Sequence, residues 1–302
     1  MVVEPHRETK ISVLEPNFGE RSLRFRWLLV RASETGIPLD YVEAEVDAKG
    51  GAFATVTLTE PGETYALLVQ QVSQDGSVTA EGRATVVCKY VRREIRDLTD
   101  ADRTAFFKAM QEFYTVPLEQ GKERYGVDFA NAKRVAAFHN SEKYCYHNGV
   151  HFLTAHASFD LWVERSLQMI DPRVSLASWD FMRDSAELGS SWTSSEIFGP
   201  DMFGSATGSP ENDFQIVDGW FAEATSLYDP ADKIGNALVG TNHNPYGYVD
   251  ASYNYQHVPG VIRTNSFCGL EGETHLAQCD TFLGCYSDND NVNGWATCME
   301  TQ

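Results

Sequence analysis

The hydrophobic period changes once along this chain, and that change limits the folds open to it. Up to residue 88 the apolar residues alternate or form short β-branched runs. Examples are Lys10-Ile-Ser-Val-Leu, Leu23-Arg-Phe-Arg-Trp-Leu, Tyr41-Val-Glu-Ala-Glu-Val, Phe53-Ala-Thr-Val-Thr-Leu, Tyr65-Ala-Leu-Leu-Val and Ala84-Thr-Val-Val-Cys88. Turn material divides these runs at Pro16-Asn-Phe-Gly19, Lys49-Gly-Gly51, Pro61-Gly62 and Asp75-Gly76. A period of two with a turn every ten residues or so predicts a small antiparallel β-sandwich of immunoglobulin or fibronectin type III style over residues 1–92. No cluster of catalytic residue types falls inside it.

From Lys89 onward the spacing becomes helical. Thr99-Asp-Ala-Asp102 has the form of an N-cap followed by early acids, and Phe106, Phe107, Met110, Phe113 and Tyr114 then recur at three- and four-residue steps. These aromatics read as core. A second helix is expected from about Asp128 to Phe138, and a third after Gly149 with Phe152, Leu153, His156, Phe159, Val163 and Leu167 on one face. Beyond Asp171-Pro172 the chain is irregular and rich in Ser, Gly, Asn and Asp. Residues 93–302 therefore read as a mainly α-helical, loop-rich domain, and the whole as a multidomain β + α protein.

The helical part carries the chemistry. Four of the eight histidines (His139, His147, His151 and His156) fall within eighteen residues, and Cys145 stands two before His147. Neutral imidazole is the commonest ligand of first-row transition metals, and several histidines without a carboxylate suit copper or zinc better than magnesium or calcium. No Cys-x-x-Cys pair and no His-Glu-x-x-His is present, so no zinc module is indicated. The competing reading is a set of ordinary polar residues on a half-exposed helix. On a helix starting near Gly149, His151 would point about 140° away from His156, so it reads as a polar residue beside the site.

The balance of 24 basic against 43 acidic residues, a net charge of -19, repels nucleic acid and anionic membrane. No stretch approaches the roughly 20 apolar residues of a membrane span. Cys268, Cys279, Cys285 and Cys298 crowd the tail and suggest a disulfide patch, hence a secreted protein or another oxidising compartment, with free buried thiols as the alternative. The opening Met1-Val-Val-Glu-Pro-His-Arg-Glu lacks the form of a secretory signal, so an exported protein would be expected to start upstream.

Cys145-x-His147, His156 nine residues on, Glu164 eight after that and then Trp179-Asp180 resemble the first copper half-site of the tyrosinase, catechol oxidase and mollusc haemocyanin superfamily. The likeness is closest to algal and oomycete tyrosinase-domain proteins. It runs from Arg92-Arg-Glu-Ile-Arg-Asp-Leu-Thr-Asp, through Ser166-Leu-Gln-Met-Ile-Asp-Pro, to Asn244-Pro-Tyr-Gly and the tail. The resemblance implies that His139, His147 and His156 bind one copper of a binuclear type 3 centre, and that Cys145 forms a thioether with His147. Glu164 and Asp180 would support the ligands from behind, or else be a surface acid and a helix cap. The implied reaction is oxidation of phenols or o-diphenols to o-quinones by dioxygen. The alternatives are haemocyanin-like dioxygen binding, or a non-catalytic module with a degenerate site.

Two departures stand out. Ala155-His156-Ala157 replaces the usual Trp-His-Arg, and Ala177-Ser178-Trp179-Asp180 replaces Pro-Tyr-Trp-Asp. The second copper of the family is held by His-x-x-x-His and a further His, yet only the scattered His243, His257 and His275 follow residue 180. Dioxygen reduction in the family takes one electron from each copper, so one site supplies half of the step. The expectation is a truncated chain that binds one copper and is inactive as it stands.

Overall fold

In a computed structural model of the 302-residue chain, the described residues are 1–13, 24–31, 40–45, 53–139, 146–147, 149–212, 215–222, 233–234, 237–238, 263, 276–287 and 291–301. They form sheets and seven α-helices, divided between two compact units, Met1–Val91 and Arg92–Gln302. Cys145, Cys268, His243, His257, His275 and the Asn244–Gly247 landmark lie outside the described residues.

In the first unit, strands β1 (Val2–Val3), β2 (Glu8–Ser12), β3 (Arg24–Arg31), β4 (Asp40–Glu45), β5 (Phe53–Thr57), β6 (Thr64–Val72) and β7 (Val78–Cys88) make two sheets. One has the order β1-β7-β6-β3-β4 and the other pairs β2 with β5 antiparallel. The alternation seen in the sequence is the alternation of burial: Phe25, Trp27 and Leu29 of β3 and Tyr65 and Leu67 of β6 turn inward. They share one apolar core with Ile11 and Ala54 of the smaller sheet. The last strand is longer than its apolar run, because its first eight residues are exposed and carry no period-two signal.

In the second unit, α1 (Asp100–Thr115) begins where the sequence placed it, with the Thr99 side chain accepting from the Asp102 N–H. Helices α2 (Leu118–Tyr125), α3 (Ala132–His139), α4 (His151–Ile170) and α5 (Phe181–Leu188) follow, and α6 (Cys279–Ser287) and α7 (Val292–Thr301) lie in the tail. Between α5 and α6, β8 (Lys233–Ile234) pairs antiparallel with β9 (Ala237–Leu238). Phe106, Phe107 and Phe113 of α1 pack with Leu167 of α4 and with Ile197, Ile216 and Phe221 from the irregular segment. Phe107 is fully buried, stacked on Trp220 and edge-on to Phe203.

The irregular segment is held by close backbone approach. Gly204 and Gly219 both have positive φ, +79° and +76°; a methyl group on Gly219 would fall on the Gly204 backbone, and one on Gly204 would fall on the Asp218 carbonyl. Replacing Gly204 by alanine is expected to cost about 2 kcal/mol or more, because the new Cβ would overlap the Asp218 carbonyl in a backbone conformation that L residues avoid. Chemical denaturation measures this directly, and a wild-type midpoint would refute it.

Candidate metal centre

Three ring nitrogens converge in the second unit. His139 ends α3, His147 follows in the chain before α4, and His156 sits in the second turn of α4. The Nε2 atoms of His139 and His156 are 3.2 Å apart, and those of His147 and His139 are 3.4 Å apart. An ion at the usual metal–imidazole distance, bound at near-tetrahedral angles, would separate its nitrogen ligands by about 3.3 Å. The donor set therefore has the spacing for one first-row metal ion, and it is the group among the described residues that could hold one. All three side chains are half-buried.

The surroundings fix which nitrogen faces the centre. His156 Nδ1 lies 2.7 Å from the Phe152 carbonyl one helical turn earlier. A carbonyl can only accept, so Nδ1 carries the hydrogen and Nε2 keeps its lone pair. His151, near the start of α4, points its Nε2 at the His147 carbonyl, 3.0 Å away. By the same reasoning it donates there, and it stands outside the trio. An aromatic shell surrounds them. The Tyr146 and His139 rings are near-parallel, Phe159 meets both His139 and Tyr146 edge-on, and Phe152 lies against His147 and His156.

Burial, and then the neighbouring His156 and His147 rings, push His139 below the ordinary histidine value. The ring stays neutral and able to ligate at neutral pH. The sign of the pH effect follows. Between that lowered value and the unfolded value of about 6.5, the unfolded chain binds more protons than the folded one. The metal-free fold thus loses stability as pH falls through this window. Metal binding is expected to weaken over the same range because a protonated His139 cannot ligate. Metal titrations at pH 7 and pH 5 test this, and equal affinities would refute it.

The two acids singled out by sequence sit elsewhere. Glu164 is two turns along α4 from His156 and only 5% exposed. Its carboxylate accepts from Arg92 Nε at 2.9 Å, from the second arm of the same guanidinium, and from the Leu176 N–H at 3.1 Å. It anchors the ligand helix to the segments on either side of it. Asp180 caps α5, accepting from the Arg183 N–H at 3.1 Å, and its carbonyl accepts from Arg96. The sequence reading missed a buried acid near it. Asp184, 1% exposed, accepts from Trp179 Nε1 at 2.6 Å, Ser195 Oγ at 3.0 Å and Arg96 Nη1 at 2.7 Å. The Arg96 partner is 88 residues away in sequence, so no local signal marks the pair.

Comparison with known proteins agrees with the ligand pattern. The family model "Common central domain of tyrosinase" matches residues 126–278, just over half of the chain and all three converging histidines. No curated protein gives a significant match. Among solved structures, Astrotactin-2, titled a conserved vertebrate-specific and perforin-like membrane protein involved in neuronal development, matches at 11% identity and a TM-score of 0.24. That match covers 55% of this chain and 32% of that one. A family 76 glycoside hydrolase from a bovine Bacteroides thetaiotaomicron strain matches at 10% identity and a TM-score of 0.25, covering 55% and 37%. Likenesses this slight carry no argument about this chain. Among the described residues no helix is long and apolar enough to cross a membrane. On the family match, which spans the whole three-histidine stretch, the chain belongs to the tyrosinase family.

Proposed function

We propose that Nε2 of His139, His147 and His156 hold one copper ion, as the first half of a type 3 centre in a protein that oxidises phenols or o-diphenols to o-quinones with dioxygen. The observation carrying this reading is the convergence of the three Nε2 atoms at metal-ligand spacing inside the matched family region. Copper in this family supplies one-electron redox chemistry toward dioxygen. The chain's own residues do the rest. The Phe152 carbonyl orients His156, the His151 ring holds the carbonyl of His147, and Phe152, Phe159 and Tyr146 give the site aromatic walls suited to a flat phenol ring.

Copper titration of the chain, followed by metal analysis and electron paramagnetic resonance, is expected to give one copper per molecule with a nitrogen-rich signal. Two coppers would show that further ligands complete a pair. Turnover of a catechol by a protein that includes a second histidine group separates an oxidase from a haemocyanin-like carrier. Cys145 is proposed to form a thioether with His147 on copper loading in air: a C–S bond replaces the thiol S–H and one ring C–H, the two protons leave to solvent and the two electrons pass to dioxygen. Mass spectrometry should then show the loss of two hydrogens, and a Cys145 that alkylates freely would refute it.

Two further readings concern the rest of the chain. Residues 1–92 are proposed to be an immunoglobulin or fibronectin III-like module preceding a partial copper domain over 93–302. Support comes from strand order: β3, β6 and β7 lie together in one sheet while β2 pairs with β5 in the other, as strands C, F, G and B, E do in that architecture. Secretion, or another oxidising compartment, is proposed from the Cys285–Cys298 disulfide. Cys88 by contrast is a buried thiol held in its protonated form by burial, and Cys279 bonds to no described cysteine.

A further inference from the structure

Helices α6 and α7 follow the residues matched to the tyrosinase central domain, which end at 278. A disulfide, Cys285–Cys298, joins them. On one side α6 is fixed to α5: the Phe282 ring meets Phe181 edge-on, and Ser185 Oγ donates to the Leu276 carbonyl at 2.9 Å just before α6. On the other side α7 packs on α4, and Asn293 Oδ1 accepts from the Val150 N–H at 3.4 Å.

Val150 is the N-cap residue of α4, and its side chain makes no cap hydrogen bond. An apolar residue there leaves the start of the helix short of partners, and Asn293 brings one from a distant helix. The turn it grips is the one that positions two of the three converging histidines. The His147 carbonyl accepts from His151, the Phe152 N–H donates to the Gly149 carbonyl at 2.9 Å, and the Phe152 carbonyl accepts from His156 Nδ1. A shift at Val150 is therefore passed to His147 on one side and to His156 on the other. With ten residues, α7 is too short to be stable alone. Its buried Ala296 and the disulfide are what hold Asn293 in place.

We infer that Asn293 is a positioning residue for the metal centre, acting through Val150, and that the Cys285–Cys298 disulfide holds it there, so that metal retention depends on a bond outside the family domain. The inference rests on the three-histidine metal reading. Its test is Cu(II) affinity by competition, the copper resonance spectrum and the thermal midpoint of the full chain, measured for wild type, Asn293→Ala, Asn293→Asp and the double variant Cys285→Ser/Cys298→Ser. Asn293→Ala is expected to bind copper about tenfold more weakly, with altered hyperfine splitting and a near-wild-type midpoint. Asn293→Asp keeps the acceptor oxygen and should restore wild-type affinity and spectrum, while the double cysteine variant should weaken binding as Asn293→Ala does. Wild-type affinity in Asn293→Ala or in the cysteine variant overturns the inference while leaving the metal reading intact, and so does an Asn293→Asp as weak as Asn293→Ala. A wild-type chain that takes up no copper overturns both.

Discussion

Replacing Arg96 by methionine is expected to destabilise the helical unit by about 3–5 kcal/mol at pH 7, the cost of breaking a buried ion pair by removing one partner. The Arg96 side chain is 7% exposed and lies between Glu94 and Asp184, whose side chains are 14% and 2% exposed. Burial alone would raise both carboxyls, but hydrogen bonds outweigh it: from Arg96 to Glu94, and from Trp179, Arg96 and Ser195 to Asp184. Both are held below the ordinary carboxylate value, and Arg96 is held protonated by the same contacts. Without the guanidinium, two carboxylates would remain in a site built for a cation. A lowered folded value stabilises above the unfolded carboxylate value of about 4 and is lost as pH falls through the lowered one. In the variant the unpaired acids gain protons first, so the gap between the two proteins should narrow on acidification. Urea denaturation from pH 7 to pH 3 measures both effects. Arg173→Met is the control. Its partner is Asp171 and its side chain is 57% exposed, and such surface pairs are worth about 1 kcal/mol or less. Equal losses in the two variants would mean that Arg96 is an ordinary surface ion pair.

The same network shows what the sequence made legible and what it hid. Local periodicity and caps are written in neighbouring residues, so Thr99, the apolar face of α1, the long helix after Gly149 and the alternating strands could all be read directly. The converging histidines could be read for the same reason, since here they lie within eighteen residues of one another. Long-range polar partners leave no such mark. Nothing near Glu164 announces Arg92, and nothing near Asp184 announces Arg96. Helices α5 and α7 were hidden in a different way. Phe181-Met-Arg-Asp-Ser-Ala-Glu-Leu188 is only eight residues long, and Val292-Asn-Gly-Trp-Ala-Thr-Cys298 carries Asn and Gly at helical positions, so shortness hides the first and propensity the second, which a disulfide joins to α6. The resemblance to a copper half-site likewise named the three histidines that converge but not Asn293, which comes from a helix past the matched domain.

The largest effect on function is expected at His156. Changing it to alanine should lower copper affinity at least 100-fold, and His139→Ala and His147→Ala should do the same, whereas His151→Ala should lower it less than tenfold. The difference lies in where each ring nitrogen points, since all four are imidazoles within eighteen residues. Nε2 of His139 lies 3.2 Å from that of His156 and 3.4 Å from that of His147, so an ion bound by three equal nitrogens loses a third of its protein ligands with any one of them. Two imidazoles at a half-exposed site leave the remaining positions to water, which competes poorly with nitrogen for copper. His151 instead directs its Nε2 at the His147 carbonyl and touches the centre only through the backbone. Its loss removes one restraint on the turn and no ligand. Competition titration with Cu(II), paired with the resonance spectrum of each variant, separates the two classes. If His151→Ala loses copper as fully as His156→Ala, the ion sits nearer the start of α4 than the Nε2 geometry places it, and the ligand set has to be redrawn.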